Sequence, residues 1–329
     1  MRAAKLYKYT LPMDSGVVLR ENKLTERTGW IIELHENGKI ARGEVAPLIG
    51  FSQESLDEAG IAAQCALEAW FSGHKQNYDE LPPSVAFGFS MALTELEGKL
   101  PRQGNYVAAP LCTGDPDEII ESLSAMPGKR VAKVKVGLYE PIRDGMLVDL
   151  MLESIPDLTL RLDANRAWTK EQAMKFASYI SPSLRQRIEF LEEPCANPAD
   201  SLAFAIDTGI AIGWDETLQQ EIRHPDFALE ELTGVKAIVI KPTLIGSIER
   251  CKFLVEKAHK LGMHAVISSS IESSLGLNQL ARLAHWITPD EVPGLDTISL
   301  YQAQLETPWP KSPLPLTTLD EHELVWSTR

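Results

Sequence analysis

The chain has 329 residues, 44% of them hydrophobic and 24% charged, the balance of a soluble globular protein with one large domain or two unequal ones. A formal net charge of −14 would repel nucleic acid and anionic membranes at long range, so no nucleic-acid partner and no membrane insertion are expected. Cys65, Cys112, Cys195 and Cys251 are scattered, there is no apolar signal core, and no run approaches ~18–20 apolar residues; a reduced, cytoplasmic protein is expected rather than a zinc, disulfide or membrane protein.

Residues 3–9 and 29–34 alternate as strands do, and 42–45 extend the same sheet. Between the first two, MDSGVVLRENKL (13–24) carries an apolar tip that includes Val18. It reads as a loop, and an apolar tip is what a lid over a ligand carries. Helical periodicity covers about 53–72 and 83–99, where Val85, Phe89, Ala92, Leu93 and Leu96 form one stripe. From about 105, short apolar runs alternate with helical stretches. Strands are expected at 106–111, 131–136, 158–163, 188–193, 210–215, 237–241 and 264–269, with a short one near Leu295. Helices fit between them, among them 140–154, 170–180, 248–261 and 275–287. Seven or eight such repeats predict a parallel sheet closed into a barrel. The proline-rich tail after about 303 breaks the repeat and is expected to fold back. The expected class is therefore α/β: an α+β capping domain over 1–100, joined by 303–329, and a (β/α)7β TIM-like barrel over 101–302.

In such a barrel the C-terminal ends of the strands surround one mouth. The last polar residues of successive strands are Lys135, Asp163, Glu192 or Glu193, Asp215, Lys241 and the cluster Ser268–Ser270. Three acids aimed at one point repel one another unless a cation joins them. Carboxylates are hard ligands and no His or Cys holds a matching position, so Mg²⁺ is expected, with Mn²⁺ as a substitute. Neighbours on a strand face opposite ways, so only one of the two glutamates points inward; we assign Glu192, which parity alone does not secure.

Lys133 and Lys135 leave the same face of their strand. A free lysine is a poor base at neutral pH, but the like charges of Lys133 and Lys241, a metal and partial burial would all push Lys135 downward. Read alone, K-x-K is a solvated strand edge and Asp163-x-Asn165 an Asx turn. Among Val131, Val134 and Val136, and repeated around a rim, they read as chemistry. A metal-held carboxylate beside a lysine suits removal of the proton on the adjacent carbon, and the enediolate formed is stabilised by the metal and by a lysine opposite. Racemisation, cycloisomerisation and β-elimination of water all proceed from it, and spacing does not choose among them.

The segments MDSGVVLR, GFSQES, PSVAFG, AKVKVGLYE, RLDANRAW, FLEEP, AIVIKPTLIGS, ISSSIESSLGL and PGLDT resemble the enolase superfamily, in its muconate-lactonising-enzyme-like branch, and the resemblance spans the whole chain. It implies that Asp163, Glu192 and Asp215 are Mg²⁺ ligands, which supports Glu192 over Glu193, that Lys135 is the acid/base and that Lys241 is the lysine across the ring. Within that branch the pattern is similar to the dehydratases of menaquinone biosynthesis. It thus implies syn loss of water from 2-succinyl-6-hydroxy-2,4-cyclohexadiene-1-carboxylate to give 2-succinylbenzoate, a hydro-lyase reaction on a small anionic substrate. On that reading Lys241 stays cationic over the ring. Ser268, Ser270, Gly294 and the 13–24 loop, with Val18, hold ring and succinyl tail; Lys133, Arg161 and Asn165 touch substrate, order water or support the groups that do. N-succinylamino acid racemases and dipeptide epimerases use the same five residues and are the alternative. A Schiff-base aldolase is opposed by the three acids, and a non-catalytic metal-binding barrel by the K-x-K opposite a lone lysine. A monomer is expected.

Overall fold

The computed structural model describes residues 2–14, 16, 18–19, 22–107, 109–112 and 115–328, with the side chains of Val18, Leu19 and Asn22 outside that description. The chain opens with β1 (Arg2–Pro12), a small hairpin of β2 (Val18–Leu19) and β3 (Asn22–Lys23), then β4 (Glu26–Glu36) and β5 (Lys39–Val45). Two helices follow, α1 (Leu56–Phe71) and α2 (Pro83–Leu96). β4 lies antiparallel between β1 and β5. Its alternating residues Trp30, Ile32 and Leu34 share a core with Ala59, Ala63 and Leu67 of α1 and Val85, Phe89 and Ala92 of α2. Full burial of each large apolar side chain there contributes about 1.5–3 kcal/mol over exposure. α1 starts where Ser55 and Glu58 form a capping box. α2 runs so close to β5 that a Cβ on Gly43 would collide with the Gly88 carbonyl, which is why that strand carries a glycine.

The alternating part runs β6 (Leu111–Cys112), α3 (Pro116–Ser124), β7 (Val131–Lys135), α4 (Pro141–Ser154), β8 (Thr159–Asp163), α5 (Lys170–Ser178), β9 (Ile188–Glu192) and α6 (Pro198–Thr208). It continues with β10 (Ile212–Trp214), α7 (Glu216–Glu221), β11 (Ala237–Ile240), α8 (Pro242–Ile245), α9 (Ile248–Lys260), β12 (His264–Ile267) and α10 (Ser274–Ile287). β13 (Gln304–Leu305), β14 (Leu316–Thr317) and β15 (Glu323–Ser327) close the chain. Strands β6 to β12 make one seven-stranded sheet in sequence order, parallel from β6 through β11. An order that never reverses is the winding of a (β/α) barrel; a doubly wound open sheet would reverse at a switch point. Two strands are shorter than expected. The one at 106–111 shrinks to Leu111–Cys112, and the one near Leu295 is a single parallel bridge between Ser268 and Gly294. Pro110 and Pro293, which have no N–H to give to a ladder, precede both.

The tail returns to the first sheet, where β15 pairs antiparallel with β1. The chain divides into two compact units, Met1–Ala108 with Ile240–Glu256 and Ile267–Arg329, and Ala109–Val239 with Lys257–Val266. Lys133, Lys135, Arg161, Asp163, Asn165, Glu192 and Asp215 belong to the second; Val18, Lys241, Ser268, Ser270 and Gly294 belong to the first.

Candidate active site

Strand register assembles the second unit's polar residues. Lys135 pairs with Asp163, Asp163 with Glu192, and Glu192 with Gly213, two residues before Asp215. Paired residues of neighbouring parallel strands face the same side, so these side chains form a row. Asp163, Glu192 and Asp215 are all buried.

Lys133 lies inside that row. Its ammonium is 3.0 Å from Asp163 Oδ2 and donates to Glu192 Oε1 and Oε2 at 3.0 and 2.9 Å. Burial alone would lower its pKa, but Asp163, Glu192 and Asp215 together outweigh that and raise it. Lys133 is thus the counter-ion of two of the acids. Glu192 is raised in turn by burial, with Lys133 opposing and Asp163 and Asp215 adding to the rise.

Asp163 does form the Asx turn, since its Oδ1 accepts the Asn165 N–H at 3.0 Å while its other oxygen faces Lys133. Asn165 adopts a left-handed backbone, φ 44°. Its Nδ2 donates to Glu216 Oε1 at 3.3 Å, and its Oδ1 is 3.5 Å from Lys135 Nζ. Lys135 is exposed, where partial burial was expected, because it closes β7 at the strand end. With Cys112, Leu138, Tyr139 and Arg143 it lines a cavity of about 580 Å³. Asp215 sits at the N-cap of α7 and accepts from Gln219 Nε2 at 2.5 Å.

Arg161 stands elsewhere than the rim. A register shift in β9 inserts Glu189 beside it, and Arg161 Nε donates to Glu189 Oε2 at 2.5 Å while the guanidinium lies over the Phe190 ring. Glu193, set aside on sequence grounds in favour of Glu192, and Arg166, Thr217 and Gln219, to which sequence reasoning assigned no role, are all tied to the row. The only signal available was the doubled acid of Glu192–Glu193.

In the first unit, Lys241 follows β11 at the N-cap of α8, with its ammonium 5.9 Å from the centre of the Phe51 ring. Ser268 Oγ donates to the Gly294 carbonyl at 3.2 Å, and a Cβ on Gly294 would lie 2.7 Å from that hydroxyl. Ser270 is buried, and among the described residues its Oγ has no hydrogen-bond partner. Val18 has its backbone in β2, while its side chain lies outside the described residues.

The donor set suits a hard divalent cation by charge. Three buried acids lie close together, and two of them, Asp163 and Glu192, meet the same Lys133 ammonium. Side-chain placement differs from a chelate: among the described residues no three His, Cys, Asp or Glu side chains are arranged to hold a metal. Lys133 lies against Asp163 and Glu192, and Gln219 against Asp215. Metal ligation therefore requires these side chains to turn within a row that the strands already align.

Residues 1–96 match the family model described as MenC, N-terminal domain, and residues 118–308 the one described as Enolase C-terminal domain-like. An o-succinylbenzoate synthase of Vibrio cholerae is 68% identical over 326 residues, covering 99% of this chain and 98% of that one. A crystal structure of o-succinylbenzoate synthase from Thermosynechococcus elongatus, complexed with Mg in the active site, superposes with a TM-score of 0.74 at 22% identity, covering 94% of this chain and 95% of that one. An N-succinyl Arg/Lys racemase from Bacillus cereus superposes at 0.72 and 16% identity, covering 99% and 98%. At those identities the two superpositions are likenesses of fold.

Proposed function

Because this chain belongs to the o-succinylbenzoate synthase family of the enolase superfamily, we propose that it is a hydro-lyase that converts 2-succinyl-6-hydroxy-2,4-cyclohexadiene-1-carboxylate to 2-succinylbenzoate in menaquinone biosynthesis. The observation that carries the assignment of roles is the register row of Lys135, Asp163 and Glu192 on three neighbouring strands, with Asp215 after the fourth. In this reading Asp163, Glu192 and Asp215 hold a divalent cation, Mg²⁺ by the hardness of the ligands, with Mn²⁺ as a substitute. The chemistry such a cation supplies is positive charge where the substrate's carboxylate gathers negative charge.

The chain's own groups do the rest. Lys135 takes the proton from the carbon next to the ring carboxylate and returns a proton to the leaving hydroxyl on the same ring face. The C–H electrons enter the ring, the C–O bond breaks, and water leaves as the ring becomes aromatic. Lys241 remains cationic against the ring, as it stands against Phe51 here. Lys133 holds Asp163 and Glu192 in place and opposes protonation of Glu192. Ser268, Ser270, Gly294 and the segment around Val18 are assigned to the ring and succinyl tail. The same reading sets the domain boundary near residue 100, and the two family models change over between residues 96 and 118. It includes a monomeric cytoplasmic enzyme without a nucleic-acid partner, in keeping with the net charge of −14.

The test is direct: purified protein, the cyclohexadiene carboxylate and Mg²⁺, followed by the absorbance of the aromatic product. Absence of product, with deuterium exchange at the α-carbon of N-succinylamino acids, would assign racemisation instead.

A further inference from the structure

Glu193 is a carboxylate that the proposed chemistry leaves unused, yet it is as deeply buried as any acid among the described residues, at 0% exposure. It is not idle. Oε1 accepts the backbone N–H of Asp215 at 3.1 Å and that of Thr217 at 2.7 Å. Oε2 accepts the Thr217 hydroxyl at 3.0 Å and Arg166 Nε at 3.1 Å. Arg166 reaches on to Thr217 Oγ1 at 2.8 Å and Gln220 Oε1 at 3.1 Å, and its backbone N–H donates to the Glu193 carbonyl at 2.8 Å. One ion pair thereby joins the loop after β8, the end of β9 and the first turn of α7 after β10. Those three segments hold or adjoin Asp163, Glu192 and Asp215.

The backbone is bent to make this possible. Asn165, Arg166 and Glu193 all have left-handed φ, at 44°, 62° and 43°. Such conformations cost non-glycine residues roughly 1–3 kcal/mol each and persist where the surroundings over-determine them. A buried ion pair is itself weak evidence for stability, since apolar residues of similar size often do as well. Apolar residues could not, however, fix the direction of the Asp215 N–H or link three strand ends by hydrogen bonds.

We propose that Glu193 and Arg166 are positioning residues: their ion pair sets the spacing of Glu192 and Asp215, and through the 164–166 loop that of Asp163, for divalent-cation binding. This rests on the metal-site reading above.

The experiment is Mg²⁺ titration by calorimetry on the full chain, wild type against Glu193→Gln, Arg166→Met and the double variant, with melting temperatures taken in chelator. Each single change is expected to weaken Mg²⁺ by about 10- to 100-fold, as losses of groups that orient metal ligands do, while the chelated melting temperature stays within a few degrees of wild type. The double variant should be no worse than the worse single one, because both break one pair. Arg166→Lys, which keeps the charge and loses the fork, should recover part of the affinity. If Glu193→Gln fails to fold, Thr217→Val removes one hydroxyl from the same network and carries the same expectation. Unchanged Mg²⁺ affinity in folded variants overturns the proposal. So does a loss of affinity that only tracks a matching loss of chelated stability, which would make the pair a general brace. A wild type that binds no Mg²⁺ would instead sink the metal-site reading on which the inference stands.

Discussion

Replacing Lys133 by Met should separate the electrostatics of the site from its chemistry. The ammonium lies 3.0 Å from Asp163 Oδ2 and 2.9 Å from Glu192 Oε2, and both carboxylates are buried. Met keeps most of the volume and removes the charge. Breaking a buried pair by removing one partner typically costs about 3–5 kcal/mol, because the other charge stays buried without compensation. For a chain of this size that corresponds to a fall in melting temperature of roughly 4–7 °C in chelator. Two features sharpen the expectation. Glu192 is already raised by burial and by its acidic neighbours, so it can escape part of the cost by binding a proton. A carboxyl raised in the folded state contributes stability that is lost as pH rises, so the penalty of Lys133→Met should be smaller at pH 5 than at pH 8. A divalent cation also replaces the lost positive charge. Mg²⁺ at a hundredfold excess over its dissociation constant stabilises a folded protein by about 2.7 kcal/mol, and the variant should gain more than wild type because the cation then supplies the positive charge that Lys133 no longer brings to Asp163 and Glu192. The assay is thermal unfolding of both proteins in chelator and in Mg²⁺ at the two pH values. A variant as stable as wild type in chelator, or one that gains no more from Mg²⁺ than wild type does, would refute the assignment of Lys133 as counter-ion.

Three further outcomes are expected. Lys135→Ala should cut turnover by at least about 10²–10⁴-fold, the range for a lost general acid or base, with little change in stability because the side chain is exposed; wild-type rates would remove Lys135 as the base. Asp215→Asn should weaken Mg²⁺ binding and activity together, and excess chelator should stop wild-type turnover reversibly; full activity in chelator would rule out the metal assignment. Glu272, in the first unit, has its carboxyl pushed from the ordinary 4.5 up to about 7, by burial first, with the Ser269 hydroxyl opposing and Glu44 adding to the rise. Its folded form holds the proton more tightly than the unfolded chain does. The stability this confers is complete below the ordinary value and is lost as pH climbs through about 7, by about 3 kcal/mol in all. Denaturant melts at pH 5 and pH 8 should show that fall in wild type and not in Glu272→Gln; parallel slopes would refute it.

The fold was legible wherever period and punctuation agreed. Alternation at 29–34 sits inside β4, and the apolar stripe from Val85 to Leu96 is α2. The unbroken βα rhythm translated into a sheet whose strand order never reverses. Legibility failed where single residues overrode the pattern. Pro110 and Pro293 cut strands short, and a register shift in β9 set Glu189 beside Arg161 in an ion pair that alternation does not announce. Parity could not tell which of Glu192 and Glu193 faces the row, and the left-handed backbone at Glu193 shows why: the strand ends between them, so simple alternation no longer applies. Arg166 and Thr217 were invisible because nothing in a sequence reveals a hydrogen bond across 51 residues.

The K-x-K pair shows how far period-two reasoning reaches. It placed Lys133 and Lys135 on one face and suggested two like charges acting on each other. Two residues along a strand are also a displacement of about 6.6 Å. That step is longer than the reach of an ion pair, and it carries the two ammoniums into different surroundings. Lys133 pairs with Arg161 deeper in the sheet, and its ammonium reaches the carboxylates of Asp163 and Glu192, which hold it charged. Lys135 emerges at the strand end, exposed, beside Asn165 and a cavity. The same residue type at a spacing of two thus supplies a partly buried counter-ion and an exposed amine. A metal site built from three buried acids needs the first to fold, and proton transfer at its edge needs the second, so losing either lysine should leave a different defect: an unstable row without Lys133, a stable and inactive one without Lys135.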